Sequence, residues 1–480
     1  MNTFTHRPEI HLALDKGILE APAGALLDGN TFHLFFQYRA TPENPSRWGH
    51  CFSEELPFDW LECDDVLAPV GGELNLRAGS VAALNSGINL YFTTVTSVNT
   101  AVSLARYEST DHICEVSDEE GVIDKHVRRH GKVINDDGDF RRLRSPCVVP
   151  DWADIERTAN HEGWLMLALS GTSEAPVPVI LSSPDGESWR LIGALEFAGD
   201  TGFPASDIPS GTSLPPVVSP RIIRLCDEVD GEIYDILLVT VEHAGYEQSG
   251  YLVGRLDGTT FEVVSPFQRL DYGHDFSRPR STNLTPGTVV SHGRYDEALL
   301  FGLFNGTGRG DNPAKHPSWE AEGWANALSL PRHVTLQGGK LYQTPPRGLP
   351  DAISHSSRAR SWTGLMEVPS GSSISVDLLD GNGRKAATIT HSGEELILDR
   401  SPSSACNNFY GDSQPATCAL DEGDSDSLTI IVDGSTVEVF ADGGLVAMSS
   451  RVYFDNGCSG FDISTSGSAE ILREWERAGS

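Results

Sequence analysis

The chain has 480 residues, 39% of them hydrophobic, with 48 glycines, 28 prolines and a formal net charge of −33. That length exceeds one ordinary core and predicts two domains, while the Gly and Pro content favours short strands and turns over long helices. The acidic balance argues against nucleic acid and anionic membrane surfaces as partners, because the whole-molecule field repels both.

The N-terminus, "MNTFTHRPEIHL", lacks the basic-then-apolar order of a secretory signal. No apolar run reaches the roughly 18 residues that cross a bilayer. A cytoplasmic protein is therefore expected, unless a leader has been removed. The 8 cysteines are scattered, without the paired short spacings of a zinc site. Reduced structural thiols are the simplest reading, no metal or cofactor is expected, and Cys406 and Cys418 could be bridged under oxidising conditions.

A unit recurs along the first 335 residues. Strand-type apolar runs follow turn signals at "GNTFHLFFQY", "GINLYFTTV", "GWLMLALSG", "GEIYDILLVTV" and "GRYDEALLFGLF". Their spacing of roughly 60 to 75 residues suits one four-stranded propeller blade with generous loops. Most are trailed by a further strand and an aromatic turn, as in "SEELPFDW", "SSPDGESW" and "RLDGTTF". Five such units predict a five-bladed β-propeller over residues 1–335.

Each unit is preceded by a short segment: "LEAPAGALL", "LRAGSVAAL", "LRSPCVVP", "VSPRIIRL" and "FSRPRSTNL". The first strand of a blade lines the propeller axis, where small residues fit the taper and polar ones meet a ligand. These segments should therefore ring one funnel. After a linker at 336–351 the pattern changes to short alternating runs, such as "SISVDLLD", "ELILDR" and "LTIIVDGSTVEVFADGG". Turns about every ten residues over 352–480 predict an antiparallel β-sandwich. The fold class expected is all-β, a propeller followed by a sandwich, with residues 400–427 a polar surface excursion.

The pieces "RPEIHL", "FHLFFQY", "WGHCFSEELPFDW", "LDYGHDF", "GWANALSLPRHVTL" and "VDGSTVEVFADGG" resemble, in this order and spacing, glycoside hydrolase family 32, the invertase, levanase and inulinase group. The resemblance covers about residue 7 to about 455 and implies the same propeller and sandwich. It also implies cleavage of β-fructosides by a nucleophilic carboxylate and an acid carboxylate, about 5 Å apart in retaining enzymes. A third carboxylate would hold the fructose hydroxyls.

None of the three is found. The family's W-M-N-D-P-N-G reads "ILEAPAG" here, with Ala21 at the nucleophile position. R-D-P reads "RSP", with Ser145 at the stabilising Asp. E-C-P-D is best matched by "VSPR", with Val218 for the acid and Arg221 for the Asp; aligning "TSLPP" instead supplies no Glu. Alanine and valine neither transfer protons nor form a glycosyl ester. In "LDYGHDF" and beyond, His274 and Ser277 depart from the family's usual Pro and Tyr.

Other parts of the expected pocket persist. Gln37, Trp48 and Asp271 stand in pieces that line or border it in the family, Gln37 suited to hydroxyls and Trp48 to a sugar face. Propeller packing explains them equally well, and Asp275 could as readily fix a turn as touch ligand. The axial segments carry Arg77, Arg144, Arg221, Arg278 and Arg280 against one carboxylate, Glu20. Arginine's planar fork suits phosphate or carboxylate. Strand alternation could instead turn half of them away, or Glu20 and carbonyls could satisfy them.

Whether the chain is an enzyme thus stays open. One reading is a catalytically silent family member binding a sugar, or a phosphorylated or acidic sugar, in the funnel. A second is an active glycosidase with a rebuilt site, Glu20 acting with Asp271 or Asp275. A third is a structural or regulatory subunit; a homo-oligomer is compatible with it, although the sequence marks no interface.

Overall fold

The computed structural model describes residues 6–479 apart from 85–86, 118–120, 136–139, 152–162, 209–213, 244–245, 291–292, 306–311, 404–413 and 422–425. Cys406 and much of the expected polar excursion fall outside these residues. Within that excursion, Ala416–Ala419 forms a strand paired with Glu395–Asp399, and Arg400 is buried.

Strands dominate. Gly17–Asp28 opens an antiparallel run continued by Thr31–Arg39, Arg47–Glu54 and Leu61–Glu62. Glu73–Leu84, Arg144–Pro150, Arg221–Cys226 and Ser277–Leu284 open the corresponding runs that follow. The last of these pairs in parallel with the first, Ala25 opposite Thr282 and Leu27 opposite Leu284, so the final run joins the opening one in a single sheet. Apolar clusters lie between successive runs. Phe35 and Trp48 pack with Leu90 and Phe92, Tyr91 with Met166, Leu167 with Leu237, and Leu238 with Leu300. Phe36 packs with Phe301, which brings the ends of the ring together. This is a β-propeller, as the spacing predicts.

The opening strands converge on the axis, and small residues permit it. A Cβ on Gly79 would lie 1.9 Å from the Tyr91 carbonyl oxygen, and one on Gly24 would lie 2.6 Å from the Val81 side chain. Only glycine allows backbones this close.

Residues 336–351, expected as a linker, carry the strand Lys340–Thr344, paired with Arg332–Gln337, and the start of the helix Leu349–His355. Beyond them two five-stranded sheets stack around Trp362, Ile374, Ile389, Leu428, Val439 and Met448 as a β-sandwich. No helix among the described residues is long and apolar enough to cross a membrane.

Buried charges clamp the sandwich to the propeller. Arg332, 1% exposed, donates to Asp271 at 2.9 Å and to Glu438 at 2.7 Å. Asp433 accepts the backbone N–H groups of Glu9, Ile10 and His11 at 2.9, 2.8 and 2.9 Å. Both His11 ring nitrogens face carboxylates, Nδ1 at 2.9 Å from Asp433 and Nε2 at 3.1 Å from Glu438. Burial alone would lower the His11 pKa, but these two carboxylates outweigh it and carry it from 6.5 to about 9.

A pH dependence follows. Because the folded pKa is above the unfolded one, the stability from this contact is complete below about pH 6.5 and lost as pH rises through about 9. Thermal melts should show stability falling on the order of 2 kcal/mol from this group between about pH 7 and 9.5, with His11→Met removing that component. A transition temperature that stays level over this range, or falls identically in the variant, contradicts it.

Candidate functional site

The propeller axis opens as a funnel of about 350 Å³. The opening strands are bulged where they reach it, with register shifts between Leu19 and Ala21, between Arg77 and Ser80, and between Ser277 and Arg280. A bulge re-aims side chains. Ser145 and Arg278 complete the turn with left-handed backbone, φ 53° at each. Each is held by a hydroxyl on a neighbouring strand: Ser145 N–H donates to Thr93 Oγ1 at 3.0 Å, and Arg278 N–H to Thr240 Oγ1 at 3.1 Å. Such strain in non-glycine residues costs about 1–3 kcal/mol and concentrates at functional sites.

Ala21, Ser145 and Val218 all line this funnel. The three positions that the family resemblance assigns to carboxylates are thus brought together, and none can ionise. Ser145 Oγ donates to the Val218 carbonyl at 3.4 Å. Among the described residues Glu20 is the one carboxylate in the lining, and both its oxygens are engaged. Oε1 accepts from Arg39, while Oε2 accepts from Gln37 Nε2 at 2.7 Å and from Ser46 Oγ. Gln37 is fixed in turn, its Oε1 accepting the Ala78 N–H at 2.7 Å.

Five arginines face this single carboxylate in the lining: Arg39, Arg77, Arg144, Arg278 and Arg280. Arg77 is exposed and has no acidic partner among the described residues. Arg144 donates to the Gly171 and Thr172 carbonyls, both at 2.7 Å, which orient it without neutralising it. Burial, and then the Arg77 charge, lower its pKa to about 10, so it remains cationic at neutral pH. Arg278 reaches Glu247 at 2.8 Å and the Glu20 carbonyl at 3.3 Å.

Four residues expected in the pocket stand elsewhere. Trp48 is fully buried between the first two runs, against Phe92, its Nε1 donating to the Arg77 carbonyl at 3.2 Å, so it offers no face to a sugar. Asp271 is held by Arg332 and by Ser449 Oγ at 2.8 Å against the sandwich. Asp275 is fully buried there too, pairing with Arg400 and accepting the Arg451 N–H at 2.8 Å. Arg221 lies beneath the funnel, 2% exposed, and is absent from its lining. The rebuilt pair of Glu20 with Asp271 or Asp275 is therefore not assembled.

Sequence reasoning overlooked Arg39, Ser46 and Glu247. Arg39 was within reach, since strand alternation puts it on the same face as Gln37, two residues earlier. Ser46 and Glu247 meet the funnel only through tertiary packing.

Two clusters of metal-ligating types lie away from the axis: His112 with Glu115 and His126, and His391 with Asp426 and Asp442. In the first, the imidazoles stack at 4.2 Å and 17°, so their in-plane lone pairs run side by side rather than converging. In the second, His391 Nδ1 accepts the Gly393 N–H at 3.1 Å, which puts the neutral ring's proton on Nε2, the atom facing Asp442. Neither is a ready donor set.

Residues 11–345 match the family model of the glycosyl hydrolases family 32 N-terminal domain, and residues 362–476 that of the family 32 C terminal. A sucrose-6-phosphate hydrolase of Bacillus subtilis is 24% identical, the alignment covering 98% of this chain and 94% of the relative. Among solved structures, a GH32 beta-fructofuranosidase mutant of Bombyx mori in complex with sucrose superposes with TM-score 0.73 at 21% identity, over 98% of this chain and 94% of the other. A sucrose-6-phosphate hydrolase from Lactobacillus gasseri gives 0.75 at 16% identity, over 99% and 93%.

Proposed function

The chain belongs to glycosyl hydrolase family 32, and from that premise we propose that it is a sugar-binding member that has lost hydrolysis, its funnel taking a phosphorylated or acidic sugar. The observation that carries this reading is the funnel's charge: five arginines and one carboxylate that is already committed to three donors. Two carboxylates at a working separation are the minimum for ordinary glycoside hydrolysis, whether retaining or inverting. The lining offers one, acting as a structural acceptor.

Clustered guanidinium groups in a partly desolvated funnel repel one another unless an anion joins them. A phosphate can accept bidentate contacts from more than one, which a hydroxyl cannot. The names of the sucrose-6-phosphate hydrolase relatives point to the same ligand chemistry. Gln37 is positioned to meet the uncharged part of the ligand.

Calorimetry with sucrose and with sucrose 6-phosphate tests the preference. The phosphorylated sugar should bind at least about tenfold more tightly, and Arg144→Met or Arg77→Met should remove most of that difference. Equal affinity for the two sugars, or no binding of either, overturns the reading.

A further inference from the structure

Beneath the funnel floor, the axis continues into a small chamber of about 10 Å³, lined by Gly24, Gly79, Ser80, Cys147, Arg221 and Arg280 among others. Arg221 is 2% exposed and Arg280 4%. Among the described residues neither has a carboxylate partner, and none of the chamber's lining residues is a carboxylate. Arg221 donates to the carbonyls of Pro220 at 2.6 Å, Ser145 at 3.0 Å and Gly79 at 3.4 Å. Arg280 donates through one terminal nitrogen to Ser219 Oγ at 2.7 Å and to the Pro279 and Arg278 carbonyls at 3.1 and 3.4 Å. The Nε of each is buried without any acceptor.

Dipoles alone thus surround two full charges that also face each other. Burial lowers the Arg221 pKa to about 10 and, together with the Arg221 charge, lowers that of Arg280 well below the ordinary value. Unpaired buried charge is among the most expensive features a core can carry. The unmet Nε–H donors and the missing negative charge ask for the same thing.

We propose that a single halide-sized anion, chloride under ordinary conditions, occupies this chamber between Arg221 and Arg280. The chamber admits about one water-sized occupant, which excludes a phosphate or a sugar carboxylate. The site therefore differs from the funnel above it, although Arg280 lines both. Its role is to neutralise the floor, so that Arg221 and Arg280 are held in place without an acidic side chain. Cys147 also lines the chamber, and the test below separates it from the two arginines.

Crystals of the full chain soaked in sodium bromide, without sugar, test this. An anomalous peak is expected between Arg221 and Arg280, retained in Cys147→Ala and lost in Arg221→Met. In solution, replacing gluconate by chloride at fixed ionic strength should raise the unfolding temperature by roughly 2 °C, and Arg221→Met should abolish that increment. Bromide found only at surface sites, a peak surviving in Arg221→Met, or loss of the peak in Cys147→Ala overturns the inference. A chain that binds bromide here but no sugar phosphate keeps this site and loses the proposed function. Binding of sugar phosphate with an empty chamber does the reverse.

Discussion

Incubated with sucrose, inulin or levan, the purified chain is expected to release fructose no faster than buffer does. The reaction needs one carboxylate to attack the anomeric carbon and another to protonate the leaving oxygen. The family resemblance assigns those positions to Ala21 and Val218, and the position that would hold the fructose hydroxyls to Ser145; all three line the funnel. Removing one member of a cooperating catalytic set typically costs about four to six orders of magnitude. Glu20 cannot readily substitute, because Arg39, Gln37 and Ser46 already occupy its oxygens. Reducing-sugar release measured over a day, on protein freed of contaminating invertase, decides the matter. Turnover of about one per second or faster, the ordinary range for enzymes, refutes catalytic silence.

Replacing Arg332 is expected to cause the largest loss of stability of any single clamp substitution. Its guanidinium is 1% exposed and serves Asp271 and Glu438, whose side chains are 1% and 0% exposed. It also donates to Gln343 Oε1 at 2.9 Å. Arg332→Met fits a similar volume but leaves the buried Asp271 without its cation, held only by Ser449 and the Gly273 N–H, while Glu438 keeps His11. Breaking a buried pair from one side costs about 3–5 kcal/mol, which in a chain this size lowers the unfolding temperature by roughly 4 °C. The exposed pair Arg255–Glu232 is the control; Arg255→Met should cost under about 1 kcal/mol. Equal effects at the two sites would show that the clamp is not a junction under electrostatic tension.

These two predictions mark where the sequence was legible. Strand rhythm and turn chemistry are local, so the runs around "FHLFFQY" and "INLYFTTV" foreshadow the propeller, and the alternation in "SISVDLLD" foreshadows the sandwich. The axial placement of Arg77, Arg144 and Arg278 was legible for the same reason, since each sits in the segment that opens a run. The placement of Asp271 and Asp275 was not legible because their partners lie far along the chain. Ser449 is 178 positions from Asp271, and Arg400 is 125 from Asp275. Motif pieces that border a pocket in one view are, in space, the junction with the second domain. Trp48 differs for another reason: it pairs with Gln37 and shares its face, but stands one strand farther from the axis, where the indole packs against Phe92 between blades. The strand within 336–351 was not legible because Lys340, Tyr342 and Thr344 alternate on its less buried face, and an edge strand with one wet face reads like a connection.

Crystals soaked in sucrose 6-phosphate test the central claim most directly, because binding and silence are read together. An intact disaccharide is expected in the funnel, its phosphate within hydrogen-bond distance of at least two of Arg77, Arg144 and Arg278, with Gln37 beside the uncharged ring. A funnel left empty at saturating ligand, or one holding separated fructose and glucose 6-phosphate, would contradict it.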